Sequence, residues 1–428
     1  MRRDPLSFFI EMTHTYGDRV FFDAPGHPAY LLAGPEDIRH ILQENSAGYS
    51  KDTLQYRSLA KITGSGLLTS DRKLWQHQHR LEQPAFSEQR LAALDPMIVP
   101  AVEAMLDRWE QYTGSDEPLD VDAEMARLSL EIVGKAMLSS DLTDDAHKLT
   151  QAMRTCLDFA ADQVRRPIQW GDFWITPRKA KFLSALSTLN LAAYDWIAAR
   201  REAANYGDDL LGMLLKAIDI ETGAPLTDEQ IRDEIMTILV AGCETLASAL
   251  TSSWYLLAQN PAAWEQMRAE VQTALGRRIP IHQDLAALAY TRQVFSEVLR
   301  LYPPVWQITR KAISSDRFGD YSLPAGAEVM ISPYVVQHSP AYWTDPETFR
   351  PERFAPGQPE PVSGAYIPFG MGPRACIGCE FAIHQARMVL AMAAQRYRLE
   401  MIPDRSVIFD ARATLRPRYG LPMHVCSV

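Results

Sequence analysis

Cys376 sits within Phe369-Gly370-Met371-Gly372-Pro373-Arg374-Ala375-Cys376-Ile377-Gly378, with an aromatic and two glycines ahead of it, an arginine two residues before it and a helical pattern behind it. Those surroundings suit a thiolate. Gly370 and Gly372 admit conformations barred to other residues and let backbone amides approach the sulfur. The helix opening at Cys379 and running to about Tyr397 turns the favourable end of its dipole towards the same atom. Arg374 has the geometry to meet a carboxylate with two hydrogen bonds, and Gly378 lets the following helix come close to whatever Cys376 holds. Two other readings compete. Structural zinc on Cys376 and Cys379 needs four ligands, and the chain has no second Cys-x-x-Cys. An inert buried thiol is the plainer alternative.

A second cluster of chemistry-bearing residues interrupts an apolar stretch. Thr227, with Gln230 at the reciprocal position, opens a helix that runs from Ile231 to about Asn260 and is broken by Ala241-Gly242-Cys243-Glu244-Thr245. Glycine inside a helix costs roughly 1 kcal/mol against alanine, and a buried carboxylate needs a partner. A use for that loss is expected there, although Thr245 bonding back to its own helix would also be ordinary. Glu297 and Arg300 lie three apart on another helix and are followed by Tyr302-Pro303-Pro304 and then Pro351-Glu352-Arg353-Phe354. Trp75 and His79 share a helical face four residues apart.

These segments, in this order, resemble the cytochrome P-450 family, whose haem-binding signature Phe-x-x-Gly-x-Arg-x-Cys-x-Gly is matched position by position. The resemblance implies a mainly α fold with small β-sheets, one haem-thiolate monooxygenase domain over 1–428, and haem b held by the Cys376 thiolate. It makes Phe369, Gly370, Arg374, Gly378, Trp75, His79 and Arg310 the haem contacts, His79 standing where the family usually has arginine. Gly242 would make room for dioxygen, Thr245 would hydrogen-bond to it, and Glu244 would connect the site to solvent as a proton relay. Glu297, Arg300 and Arg353 would form a buried triad that fixes the thiolate loop. The substrate pocket would be lined by Leu67, Leu68, Ala241, Val305, Trp306, Ile308 and Leu415. Cys379 receives no role.

The wording of Leu54–Leu59 and Gly66–Thr69 is similar to that of bacterial carotenoid-ring hydroxylases. This implies hydroxylation of a large apolar substrate with O2 and electrons from a ferredoxin or flavodoxin and its NAD(P)H reductase, docked near Lys73, Arg80 and Arg387. Fatty-acid or terpenoid hydroxylation on the same scaffold is the alternative, and a haem-thiolate sensor or carrier without turnover is the other class of function.

The remaining sequence sets the frame. With 428 residues, 47% of them apolar, the chain has material for a large core. A net charge of −10 argues against nucleic acid as the main partner. Five scattered cysteines suit a reducing compartment. The apolar run at Leu6–Ile10 is too short for a membrane span or signal peptide, so a cytoplasmic protein is expected.

Apolar spacing predicts a helix over Pro5–Tyr16 and strands at Val20–Phe22 and Ala29–Leu32, joined through a Pro25-Gly26-His27 turn as a hairpin. A helix from Gly34 to Gln43 follows. Leu54–Ser70 reads as a loop over the pocket, and Leu91–Leu138 as amphipathic helix throughout. Two helices joined across Arg166–Trp174 would form a roof. Asp208 and Asp209 read as helix-start acids. Val305–Arg310 and Glu328–Ser332 read as strands, and Ala413–Pro417 as part of a terminal hairpin.

Overall fold

In the computed structural model, residues 4–23, 28–165, 176–203, 206–220, 222–318 and 321–428 are described. The predicted Pro25-Gly26-His27 turn and the Arg166–Trp174 connection lie outside them. The architecture is mainly helical with small sheets.

Its axis is the 32-residue helix Asp228–Gln259, called the core helix below. The Gln230 amide donates to Thr227 Oγ1 at 3.2 Å and the Thr227 amide to Gln230 Oε1 at 2.9 Å, so the predicted capping box is formed. A helix apolar on every side must be surrounded, and this one packs along Val121–Leu138, with Trp109, Trp254 and Trp264 filling the space beside them. Among the described residues it is the helix long and apolar enough to cross a membrane, yet 83% of its apolar window is buried inside the protein.

The five-stranded sheet has the order Arg19–Phe22, Ala29–Leu32, Glu328–Ile331, Ile308–Ala312 and Tyr49–Ser50. The first two strands form the expected antiparallel pair, with Arg19 opposite Leu32, and Ala29 then runs parallel to Glu328.

Four expectations are corrected. Leu54–Thr63 is a helix capped by Thr53 rather than a loop. Its ten residues hold no glycine or proline, and the glycines that suggested a loop only begin at Gly64, which ends the helix at φ +56°. The stretch after Leu91 divides into Asp95–Glu110 and Val121–Leu138, separated by a turn through Gly114 and Pro118 that cannot continue a helix. The strand expected at Val305 begins at Ile308, because Trp306 turns aside: its carbonyl accepts from Ser332 Oγ at 2.7 Å and its indole donates to the Arg412 carbonyl at 2.8 Å. The helix after the cysteine ends at Ala394, and Tyr397–Met401 pairs instead with Pro422–Ser427. Asp209 caps Leu210–Lys216, its Oδ1 accepting from the Gly212 amide at 2.7 Å.

Candidate active site

The cysteine loop is built by its own backbone. The Cys376 amide donates to the Phe369 carbonyl at 2.8 Å, Gly370 to Ile367 at 3.0 Å and Ala375 to Gly372 at 3.0 Å. Gly372 is required at φ +71°, where a Cβ would come within 2.1 Å of the Leu42 carbonyl. Cys376 opens onto a cleft of about 610 Å³ whose lining includes His79, Arg80, Phe86, Gly372 and Ile377. Protein atoms enclose the sulfur on its other sides and push the thiol up, while a hydrogen bond from the Gly378 amide draws it down. Gly378 itself faces Phe86, 3.5 Å from where its Cβ would stand. Cys379 begins the next helix, partly buried, with its thiol pushed up to about 12 by burial. No group of three histidine, cysteine or carboxylate side chains poised for a metal occurs among the described residues, so zinc at this pair has no further ligands there.

The loop is fastened to a buried ion cluster. Arg300 holds Glu297 with two bonds of 2.7 and 2.8 Å, both side chains fully buried, and Arg353 adds a third at 3.2 Å. Arg300 also donates to the carbonyls of Gln337 and Pro346 at 2.8 and 2.7 Å. Gln337 continues the chain, donating to the carbonyls of Leu299 and Arg300 and accepting the Ile367 amide at 3.0 Å, two residues before Phe369. The three charges predicted from sequence therefore meet, and Gln337, with no signal of its own, carries them to the loop.

A cationic cradle lies beside it. Arg374 stacks over the Trp75 ring at 4.1 Å, donates to the Ser70 carbonyl at 2.8 Å and pairs with Asp71. His79 leans on Trp75 with ring centres 5.1 Å apart; burial lowers its pKa and Arg374 lowers it further. Arg310 reaches the Tyr56 hydroxyl at 3.1 Å. The sequence reading missed Lys51: only 8% exposed, it donates to the Leu68 carbonyl at 2.7 Å and stands over the Tyr56 ring. Burial drives its pKa down, with Arg310 and Arg374 adding to the effect. Three cations thus face one carboxylate, Asp71, in a half-buried space next to the cysteine loop. That excess fits a group bearing two carboxylates, which is what the two propionates of haem would bring. Lys51 belongs to no recognisable sequence pattern, and the likeness of segment 54–59 to carotenoid-ring hydroxylases gave Tyr56 no role of its own.

The core helix supplies the other half. It is buried above and below, but Ala241 is exposed and Gly242 and Thr245 are half-exposed. Gly242 spares a contact with the neighbouring helix, since its Cβ would meet Val133 at 3.3 Å. Thr245 donates its hydroxyl to the Ala241 carbonyl at 2.6 Å, the back-bond considered from sequence. Glu244 is only 2% exposed and sits between Arg154 at 3.2 Å and Arg416 at 3.3 Å. Burial raises its pKa, and the two arginines oppose this. Arg154 also grips Asp122 at 2.8 Å and Arg416 grips Asp158 at 3.2 Å, so a network of ion pairs surrounds the carboxylate. These partners come from distant segments, and no spacing marked them.

Of the expected pocket residues, Ala241 is exposed on the core helix, Leu67 is buried, Leu68 packs against the main core, and Trp306 and Leu415 are packed in one apolar cluster with Phe9. Ile308 is buried in the sheet core, with Val305 packed against it. Of the three basic residues near the cleft, Lys73 and Arg80 are exposed, while Arg387 is turned into the fold and donates to the carbonyls of Leu285 and Leu288.

The sequence matches the cytochrome P-450 family over residues 1–419. It is 36% identical over 414 residues to cyclooctatin synthase of Streptomyces melanosporofaciens, spanning 95% of this chain and 88% of that protein. It is 31% identical over 443 residues to the chloroplast protein LUTEIN DEFICIENT 5 of Arabidopsis thaliana, spanning 98% and 74%. With pentalenene oxygenase of Streptomyces avermitilis it shares 32% over 418 residues, spanning 97% and 91%. Cysteine loop, cation cradle and interrupted core helix thus stand in a chain that belongs to the cytochrome P-450 family of haem-thiolate monooxygenases.

Proposed function

We propose that Cys376 is the axial thiolate and that the enzyme hydroxylates a large apolar isoprenoid, with the ring of a carotenoid as the first candidate. The observation that carries this reading is the exposure of Ala241, with Gly242 and Thr245 half-exposed, on an otherwise buried helix beside the buried carboxylate of Glu244. When bound, haem supplies the oxidation: with O2 and two electrons, one oxygen atom enters a C–H bond and the other leaves as water.

The protein's own residues do the rest. Lys51, Arg310 and Arg374 bind and orient the propionates, and Trp75 and His79 close the edge of the cradle. Gly378 stabilises negative charge on Sγ through its amide. Thr245 holds a hydroxyl proton on that exposed stretch of the helix, and its bond to Ala241 is one that a water or substrate oxygen can replace. Glu244, whose pKa burial raises while Arg154 and Arg416 oppose the shift, stores or passes a proton one residue away. Electrons come from a ferredoxin or flavodoxin with its reductase, docking beside Lys73 and Arg80.

The carotenoid reading is supported by the wording of residues 54–69 and by the likeness to LUTEIN DEFICIENT 5 along nearly the whole chain. A cyclic terpene is the second reading, favoured by the likeness to cyclooctatin synthase and pentalenene oxygenase. Turnover with ferredoxin and reductase on β-carotene, a cyclic diterpene and a long-chain fatty acid, with products read by mass, decides between them. Ring-hydroxylated carotene is expected. Product from the terpene alone would move the assignment to the second reading, and product from the fatty acid alone would overturn both.

A further inference from the structure

A buried acidic pair lies outside this machinery. Glu82, the last residue of the helix Arg72–Glu82, is fully buried, and neither of its carboxyl oxygens meets an N–H or O–H donor. What it faces is the carboxyl of Glu234 on the core helix, itself 3% exposed. Two ionised carboxylates in contact inside a protein repel strongly, and a single proton between them turns the repulsion into a short charge-assisted bond.

The pair also holds something. The Leu67 amide donates to Glu234 Oε2 at 2.8 Å, the Ser65 amide to Asp233 Oδ2 at 2.7 Å, and the Gln78 side chain to the Ser65 carbonyl at 2.8 Å. Segment 64–70 therefore lies directly on the core helix. A Cβ on Gly66 would come within 2.2 Å of Thr237 Oγ1 and 2.6 Å of the Asp233 carbonyl, so glycine is what permits this approach.

We infer that Glu82 and Glu234 share one proton in the folded enzyme, and that this proton positions segment 64–70 by keeping Glu234 where it accepts the Leu67 amide. Glu82 is thus a positioning residue acting through Glu234. Its importance for substrate rests on the proposal that Leu67 and Leu68 border the pocket.

The other groups around the pair do not replace the proton. Asp233 belongs to the core helix and is matched by Arg232 at 2.7 Å, and Gln78 is neutral. Segment 64–70 contributes amides, and Leu210–Lys216, which packs on both helices, buries four leucines. Burial is the first cause raising both carboxyls, the Glu234 charge adds to it at Glu82, and Glu234 is raised to about 7. With the pKa higher in the closed state than in the open one, closure is fully present below the ordinary carboxyl range and is lost as pH rises through the raised pKa at which the pair gives up its shared proton.

Hydrogen–deuterium exchange of the haem-loaded enzyme, corrected for intrinsic rates, reads this directly. Above the ordinary carboxyl range the protection of amides 64–70 should fall about tenfold per pH unit and level off once the closed pair has lost its proton, as expected when opening releases a single proton. In Glu82→Gln the carboxamide donates to Glu234 without a titrating proton, and in Glu234→Gln it donates to Glu82 while its oxygen still accepts Leu67. Both variants should stay protected with no pH slope. A pH-independent wild type, or glutamine variants that keep its slope, would overturn the inference. Affinity for an apolar triazole, measured spectrally over the same range, separates the two claims. If exchange follows pH and triazole affinity does not, the shared proton stands and the pocket placement of 64–70 fails.

Discussion

Two buried glutamates, each between two arginines, sit on opposite sides of the site and do different work. Glu297 has a partner three residues away on its own helix, and the Arg300 fork holds it with two short bonds while backbone carbonyls occupy the remaining donors. Glu244 is held by single contacts of 3.2 and 3.3 Å from arginines 90 and 172 residues away in sequence, beside the half-exposed Thr245. The first cluster is saturated and stiff and has nowhere to send a proton. The second is spread over three elements with less ideal geometry, and the Thr414 hydroxyl lies 3.5 Å from its carboxylate. Burial and charge alone do not separate a frame from a working group; the saturation of partners does.

The largest effect should come from removing what the frame exists to hold. Cys376→Ser is expected to abolish the thiolate-type Soret band of the reduced carbon-monoxide complex and all turnover, and a variant that kept the band would end the assignment. Next, Arg300→Ala removes both short bonds to Glu297, leaving it the single Arg353 contact, and takes the donor from the Gln337 and Pro346 carbonyls as well, so it should cost about 3–5 kcal/mol of stability in urea unfolding, with loss of haem content. Arg416→Ala should cost clearly less, because Glu244 keeps Arg154, and equal losses would dissolve the contrast between the clusters. Thr245→Ala and Glu244→Gln should leave substrate binding close to wild type but lower product formed per electron pair by roughly a hundredfold. A solvent isotope effect altered in these variants and unchanged in Arg353→Lys would place proton movement on the Glu244 side. The smallest effect is expected at the cradle: Lys51→Met removes one charged donor of three and should speed haem loss to apomyoglobin roughly tenfold.

Legibility followed the same divide. The cysteine loop, the Glu297–Arg300 pair and the cap at Thr227 could be read because their partners lie within ten residues, so spacing alone fixes their geometry. Lys51, Tyr56 and Gln337 could not. Each gains its role only in the fold: Arg310 reaches Tyr56 from 254 residues away, Lys51 is held by the Leu68 carbonyl 17 residues on, and Gln337 makes contacts 30 and 37 residues off. The loop expected over Leu54–Ser70 failed at its first half because the glycines at its second half dominated the reading. Arg387 looked like a free cation and is spent on two carbonyls.

By itself, the sequence determined a glycine-built cysteine loop and a long core helix interrupted at Gly242–Thr245, since these follow from local backbone rules and short-range spacing, while the haem and the mainly helical fold came with the family resemblance. Tertiary structure alone decided which charges are matched. Arg154 and Arg416 reach Glu244, three cations converge on one carboxylate at the cradle, and Glu82 meets Glu234. Electrostatics inside a protein depends on distance and burial, and neither is encoded at any one position of the chain.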